Sequence, residues 1–467
     1  MAKNKIESLQ AFLGALPASV AARLARAIEV DRLNDGKMLP HDLILESLRP
    51  TLRAAAQANR TPTPMRAFCR PFEDFLVAER KGAKQKGRIA RGSVTPVWNW
   101  LAQTLVPDAL TAYAIAVKTA VLGVRTDEAK AKTVEFWTVA AQAIRSKLDS
   151  ESGRRSARQV LGGESTVDDA REMALLLSIG SEICEFQDRL PRQLPNLTDE
   201  VIQLFREGYE RVAALNGDAA PYLSVLVMNR LERPWEALRL ALSIARKTQE
   251  TLIASTDMGL VGELLFGDIE EHAAAIRTAR PERFNADHLV AHVDAFTALT
   301  GGMVKEVELR RDGQWGQRLM KDRAAVGGVM DGFMEKAPRE VLAALPVQKS
   351  GSFSGAPKTP DVSRPADPEK SDRALSYARL IAGCRRSAAG ASFAASLKEA
   401  EEELILALKN YNDEIVRELR AAEGERRVNA DQFFALAAEL TALLFSPEEG
   451  EFLRRRGRAA VSAAVAA

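Results

Sequence analysis

Cysteine is nearly missing from this chain: Cys69, Cys184 and Cys384 are the only three in 467 residues. They are far apart and odd in number, with no Cys-x-x-Cys pair, which excludes a disulfide framework and a cysteine zinc site. They read as reduced thiols in a cytosol-like compartment, so the expected location is cytoplasmic. Histidine is almost as sparse, with His41, His272, His288 and His292 alone. Aromatic residues make up 6%. Strands favour aromatic and β-branched side chains, so a chain rich in alanine and leucine instead points to helices. Charge of one sign is also lacking. Lys plus Arg at 65 against Asp plus Glu at 63 leaves +2, too little for a global field to draw the molecule onto nucleic acid or lipid, so polyanion binding would have to be local. No uninterrupted apolar run of about 18 residues occurs, which argues against a transmembrane helix. The opening stretch MAKNKIESLQAFLGALPASVAARLA has a basic start, yet Glu7, Ser8 and Gln10 interrupt it. Ile6, Leu9, Leu13 and Leu16 repeat at helical spacing, against a secretory leader.

The motifs of nucleotide and acyl chemistry are missing too. There is no G-x-x-x-x-G-K-[ST], no G-x-G-x-x-G after a strand and no G-x-S-x-G elbow, so no backbone cradle for phosphates or strained serine turn is expected. Gly162 with Gly163 and Gly301 with Gly302 read as helix ends or close-packing points. The acidic run EAEEE at 399–403 opens a helix, where negative charge complements the dipole. In DHLVAH, His288 and His292 stand one helical turn apart and could face one metal ion, with Asp287, Asp294 and, if the chain folds back, His272 or Glu271 completing the set. The glutamate of the H-E-x-x-H pattern is replaced by Leu289, however, and no Glu-x-x-His pair occurs, so no cofactor is expected and an enzyme is the lesser reading.

What is present is helical punctuation. In TDEVIQLFREGYERVAALNG at 198–217, Thr198 can cap, Asp199 and Glu200 suit the positive end of the dipole, and Gly217 ends the helix. Val201, Leu204, Phe205, Tyr209, Val212 and Leu215 form its inward stripe. Pro234 divides PYLSVLVMNRLERPWEALRLALSIARKTQ into two short helices. RPWEALRLALSIA within it resembles the start of the second helix of a tetratricopeptide-type hairpin, which implies stacked helical hairpins. No second copy follows at about 34 residues, the period of that family. Asp312 and Gly313 separate two further helices, since Trp315, Leu319, Val326, Val329 and Phe333 continue a period near 3.6. The segment 346–372, PVQKSGSFSGAPKTPDVSRPADPEKSD, is dense in Pro, Ser, Gly and charge and reads as a disordered linker.

Two features can carry binding. The stretch 78–91 gathers Arg80, Lys81, Lys84, Lys86, Arg88 and Arg91. Gly82, Gly87 and Gly92 break it at five-residue intervals, so it is expected to be a loop. It is either a solvated connector between a helix ending near Glu79 and one beginning after Pro96, or a phosphate-contacting surface. Arg454, Arg455, Arg456 and Arg458 form a second basic patch. The other feature is a helix from about Ser392 to Ala422 whose Leu397, Leu404, Leu408, Tyr411, Ile415 and Leu419 make one seam, with 429–445 as the nearest covering helix.

The sequence therefore predicts an all-α chain. It comprises an N-terminal body over 1–345, an antiparallel bundle or helical-hairpin array with softer boundaries near 80–95 and 150–166, then the linker 346–372, then a small helical bundle over 373–467. The expected function is that of a non-enzymatic cytoplasmic interaction or scaffold protein with a protein partner, or a second copy of itself, on helical surfaces. The alternative is a polyanion-binding protein that contacts nucleic acid or anionic membrane through residues 80–91.

Overall fold

A computed structural model describes residues 63–80, 82–120, 126–245, 259–307, 312–349 and 358–465. Before Thr63 it describes positions 13, 16, 18–33, 41, 44, 45, 47 and 48. The fold is all-α, and the strands among the described residues are two or three residues long. No described helix is long and apolar enough to cross a membrane. The chain forms two compact units, Met1–Arg70 with Trp98–Ala143 and Pro71–Val97 with Ile144–Ala467.

The first unit takes in α1 (Ala18–Leu33), α2 (Pro64–Cys69), the end of α3 (Arg91–Trp100), α4 (Pro107–Ala120) and most of α5 (Thr126–Asp149). Thr63 caps α2 through its side chain, and Pro64 occupies the first turn, where its missing N–H costs nothing. Aromatic rings form the centre of this unit. Tyr113 and Phe136 stack at 4.4 Å between centroids, and Phe68 stands 5.3 Å from Trp98. The Tyr113 hydroxyl donates to the Pro64 carbonyl at 2.6 Å. Burial raises its pKa beyond the ordinary tyrosine range. Leu13, Ala21, Ile28, Ile44 and Leu48 form a second buried cluster. His41 pairs through Nε2 with Asp31 at 2.7 Å.

The second unit begins with β1 (Leu76–Val77) and β2 (Ile89–Ala90), a parallel pair in the register Leu76 to Ile89 and Val77 to Ala90. The helices then follow in order: α6 (Glu151–Leu161), α7 (Glu164–Leu177), α8 (Gly180–Arg189), α9 (Asp199–Leu215), α10 (Tyr222–Arg230) and α11 (Leu238–Ala245). After them come α12 (Leu260–Thr278), α13 (Ala286–Glu306) and α14 (Gln314–Leu342). Thr198 caps α9 as its sequence requires, accepting from the Val201 amide. Pro234 opens a short 3-10 turn that separates α10 from α11, because a proline inside one continuous helix would remove a donor and clash with the preceding turn. Asn285 caps α13, and α13 packs along α12. Close approach in this unit depends on missing side chains. A Cβ on Gly262 of α12 would lie 2.2 Å from the Trp315 ring, so only glycine lets α14 bring that indole against α12.

Residues on both sides of 346–372 belong to this second unit. Within the segment, β3 (Val347–Lys349) pairs antiparallel with β4 (Lys358–Pro360), and Val362 is buried. The Asp361 amide donates to the Pro346 carbonyl at 2.9 Å, and Asn429 donates to the Val362 carbonyl at 3.2 Å. Composition alone reads the segment as disordered, whereas its described flanks satisfy their backbone groups in these ways. Residues 350–357 lie outside the described residues. Asp367 then caps α15 (Pro368–Cys384), which is followed by α16 (Ala394–Ala421), α17 (Gly424–Leu444) and α18 (Pro447–Val465). α16 packs on α17, α18 and α14, so the last three helices form a bundle that also engages α14.

Candidate functional site

The basic stretch sits on two acidic side chains of α7. Asp169 and Glu172 are three residues apart on a helix whose neighbouring inward positions are Ala170, Met173, Ala174, Leu176 and Leu177, all buried. The two carboxylates therefore share the inward face and are themselves buried. Burying a carboxylate is costly unless it is paired and hydrogen-bonded, and the stretch supplies both. Asp169 accepts from Ser93 Oγ at 2.6 Å and from the Ala90 amide at 3.2 Å, and it contacts the Arg80 guanidinium. Glu172 accepts from the Gly87 amide at 2.7 Å and from the Tyr222 hydroxyl at 2.9 Å, and it contacts the Lys84 ammonium.

Lys84 lies between the two acids. Its Nζ stands 3.2 Å from Asp169 Oδ1, as a charge partner rather than an aligned donor, which leaves that oxygen without a hydrogen bond. The same ammonium donates to the carbonyls of Gln85 at 2.8 Å and Arg88 at 2.6 Å. With three N–H donors and this many acceptors around it, its hydrogen-bonding capacity is taken up by its own chain. Tyr222 is held in its neutral form. Burial, then the neighbouring Glu172 charge, push its hydroxyl pKa far above the ordinary range. Arg88 reaches the other way and pairs with Asp268 of α12 at 2.6 Å.

Two glycines make this path possible. Gly82 and Gly87 adopt φ of 84° and 88°, in the left-handed region that favours glycine. A Cβ on Gly87 would also come within 3.1 Å of Leu264. The stretch is a loop as its glycines predict, but the following helix starts at Arg91, with Pro96 inside it, rather than after Pro96. Gly92, whose carbonyl loses its helical partner to Pro96, is exposed and can turn to water.

The cations named from the sequence thus have different fates. Arg80, Lys84 and Arg88 are paired with acids of their own chain. Lys86 is exposed, its Nζ 5.7 Å from the centre of the Tyr222 ring, and Arg91 is exposed. Lys81 lies outside the described residues. Beside the loop a cavity of about 420 Å³ is lined by Arg80, Gln85, Arg88, Gly267 and Glu271 among others. Its two arginines already face Asp169 and Asp268, so it presents mixed charge rather than a positive field. The C-terminal patch is also paired on its surface. Arg454, Arg455 and Arg458 share Glu451, and Arg456 holds Asp413 at 2.7 Å. Exposed pairs of this kind contribute little to stability.

The seam behaves differently from a free surface. Leu397, Leu404, Leu408, Tyr411, Ile415 and Leu419 are all buried, covered by helices of the same unit. The expected covering helix at 429–445 is α17, and α14 and α18 add to it, so these six side chains are not available to another protein. Leu404→Ala or Leu408→Ala is expected to cost about 2–5 kcal/mol of stability. Sedimentation velocity should show the oligomeric state unchanged in the variants that fold.

The histidines are regrouped. His288 is exposed, and its backbone amide donates to the Asn285 cap at 2.9 Å. His292 instead meets His272 of α12, their Nδ1 atoms 2.9 Å apart. Helical spacing could not reveal that pairing, because it depends on how α12 and α13 lie together. Asp169 and Glu172 did carry a signal: two acids on the apolar stripe of STVDDAREMALLL imply buried partners elsewhere in the chain. Burial and the Asp294 charge push the Cys384 thiol up to about 12, so it stays protonated at neutral pH. Among the described residues no group of three or more His, Cys, Asp or Glu side chains is placed to hold a metal ion. In comparisons with known proteins, no family model matches this chain, and neither a curated protein nor a solved structure matches it.

Proposed function

We propose that this chain is a non-enzymatic interaction protein that holds a protein partner on its helical surface, and that it works in the cytoplasm, where its three cysteines, which form no disulfide in the structure, would stay reduced. The outer side of α16 and α18 carries this reading. Leu406 is 65% exposed and Phe452 56%. Asp413, two turns beyond Leu406 on the same side of α16, pairs with Arg456 of α18, whose guanidinium stands 6.0 Å from the Phe452 ring. An exposed aromatic with an arginine against it, and an exposed leucine on the side of α16 that carries Asp413, is the make-up of a protein contact. Tracking phosphates requires unopposed cations, and Arg80, Lys84 and Arg88 are opposed.

The test is affinity purification from nuclease-treated native lysate, eluted over rising salt. A stoichiometric protein surviving high salt is expected, and Leu406→Glu with Phe452→Glu should weaken its binding by about 2 kcal/mol or more, roughly 30-fold in Kd. Release of everything at moderate salt, with nucleic acid or lipid in the eluate and binding lost when Lys86 and Arg91 become Gln, would replace this reading with polyanion binding.

A further inference from the structure

The chain has four histidines, and two of them meet. His272 and His292 project from α12 and α13 with Nδ1 atoms 2.9 Å apart, ring centroids 5.2 Å apart and ring planes at 55°. That is hydrogen-bonding distance between two ring nitrogens. A transition-metal ion would bind these same two atoms.

We infer that the His272–His292 pair is a two-histidine site for a divalent transition-metal ion, with water in the remaining positions. Three observations carry it. Both side chains are half-buried, so they are fixed by helix packing yet open to the solvent needed to complete a coordination sphere. The ligands are imidazole nitrogens, which suit copper, nickel and zinc and not magnesium or calcium. The spacing then selects among the first three. At the usual imidazole-to-metal distance of about 2.0–2.1 Å, nitrogens this close subtend roughly 90° at the ion. Tetrahedral zinc would want them about 3.3 Å apart, whereas a right angle fits tetragonal copper(II) or nickel(II).

On binding, two nitrogen–metal bonds form and the shared Nδ1–H is given up. The histidine that loses it takes a proton on Nε2, so two neutral imidazoles bind the ion with no net proton release. The ion would brace α12 against α13 and raise the melting midpoint as its concentration exceeds Kd.

The test uses the untagged full-length chain, stripped with chelator and titrated at neutral pH with copper(II), nickel(II) and zinc(II) by equilibrium dialysis with metal analysis. Expected is one saturable site per chain, tighter for copper than for nickel or zinc. It should weaken by ~100-fold in His272→Gln and in His292→Gln, since even outer partners of metal ligands cost 10–100-fold. His288→Gln should bind as the parent does. Circular dichroism checks that each variant folds. Independently of any variant, the copper(II) spectrum of the parent should show two imidazole nitrogens, and paramagnetic broadening should fall first on His272 and His292. No saturable site, binding that survives His272→Gln in a folded protein, or binding abolished by His288→Gln would each overturn the assignment, the last by placing the site on α13 alone.

Discussion

Lys84→Ala is expected to destabilise the second unit by about 3–5 kcal/mol, the cost of leaving a buried charge without its partner. The size follows from what is left behind. Asp169 and Glu172 are buried on α7, and this one ammonium is the charge they share. Arg80 still reaches Asp169, but among the described residues Glu172 retains only the Gly87 amide and the Tyr222 hydroxyl. A carboxylate so placed must either protonate or bring in water, and either loosens the loop. Urea unfolding followed by a probe of the second unit measures the loss, and hydrogen exchange at the Gly87 and Ala90 amides reports where it falls. A further change of Glu172 to Gln should recover part of the stability, because it removes the stranded charge. A loss below about 1 kcal/mol, the scale of an exposed pair, would show that water already reaches this cluster.

Trp315→Ala should cost a similar amount, about 3–5 kcal/mol, by a different mechanism. Its indole is fully buried against Gly262 and stands 5.8 Å from the Phe266 ring, with Nε1 donating to Glu263 at 3.0 Å. Truncation opens a cavity between α12 and α14 that their backbones cannot close. It also removes a donor from Glu263, although Arg318 continues to hold that carboxylate at 2.8 Å. The complementary change, Gly262→Ala, forces a methyl group into the space of the ring and should destabilise too, through overpacking. Thermal unfolding of both, singly and together, separates the terms. The double variant should be less harmful than the sum, since alanine at 262 partly fills the hole left at 315.

How much of this was legible in the sequence depended on the range of the interaction. Helix starts and stops were legible because they are local. Thr198 caps α9, Pro234 splits α10 from α11, and the seam from Leu397 to Leu419 is buried under α17 as its three- and four-residue steps require. Leu215 shows the limit of periodicity. It falls on the inward stripe of α9, yet it is the last helical residue and is 63% exposed, because packing has ended where the pattern continues. The basic stretch was legible as a loop but not as a clamp, for its acids lie 88 and 89 residues away for Glu172 and Asp169. The meeting of His272 with His292 needed two helices to be laid side by side, which no spacing along one helix encodes. In 346–372 composition reads a disordered linker, whereas buried Val362, the hydrogen bond that Asn429 donates to the Val362 carbonyl and the one that Gln432 Oε1 accepts from the Ala366 amide tie down the described flanks.

The clamp also sets a timetable for synthesis. Arg80 and Lys84 leave the ribosome long before Asp169 and Glu172, and Arg88 precedes its partner Asp268 by 180 residues. At translation rates of about 5–20 residues per second, that last gap alone is roughly 10–35 s. Until Asp169 and Glu172 emerge, about halfway through it, Arg80 and Lys84 lack those partners, and Arg88 lacks Asp268 until its end. Folding therefore draws Arg80, Lys84 and Arg88 onto acids of the chain itself and leaves Lys86 and Arg91 exposed.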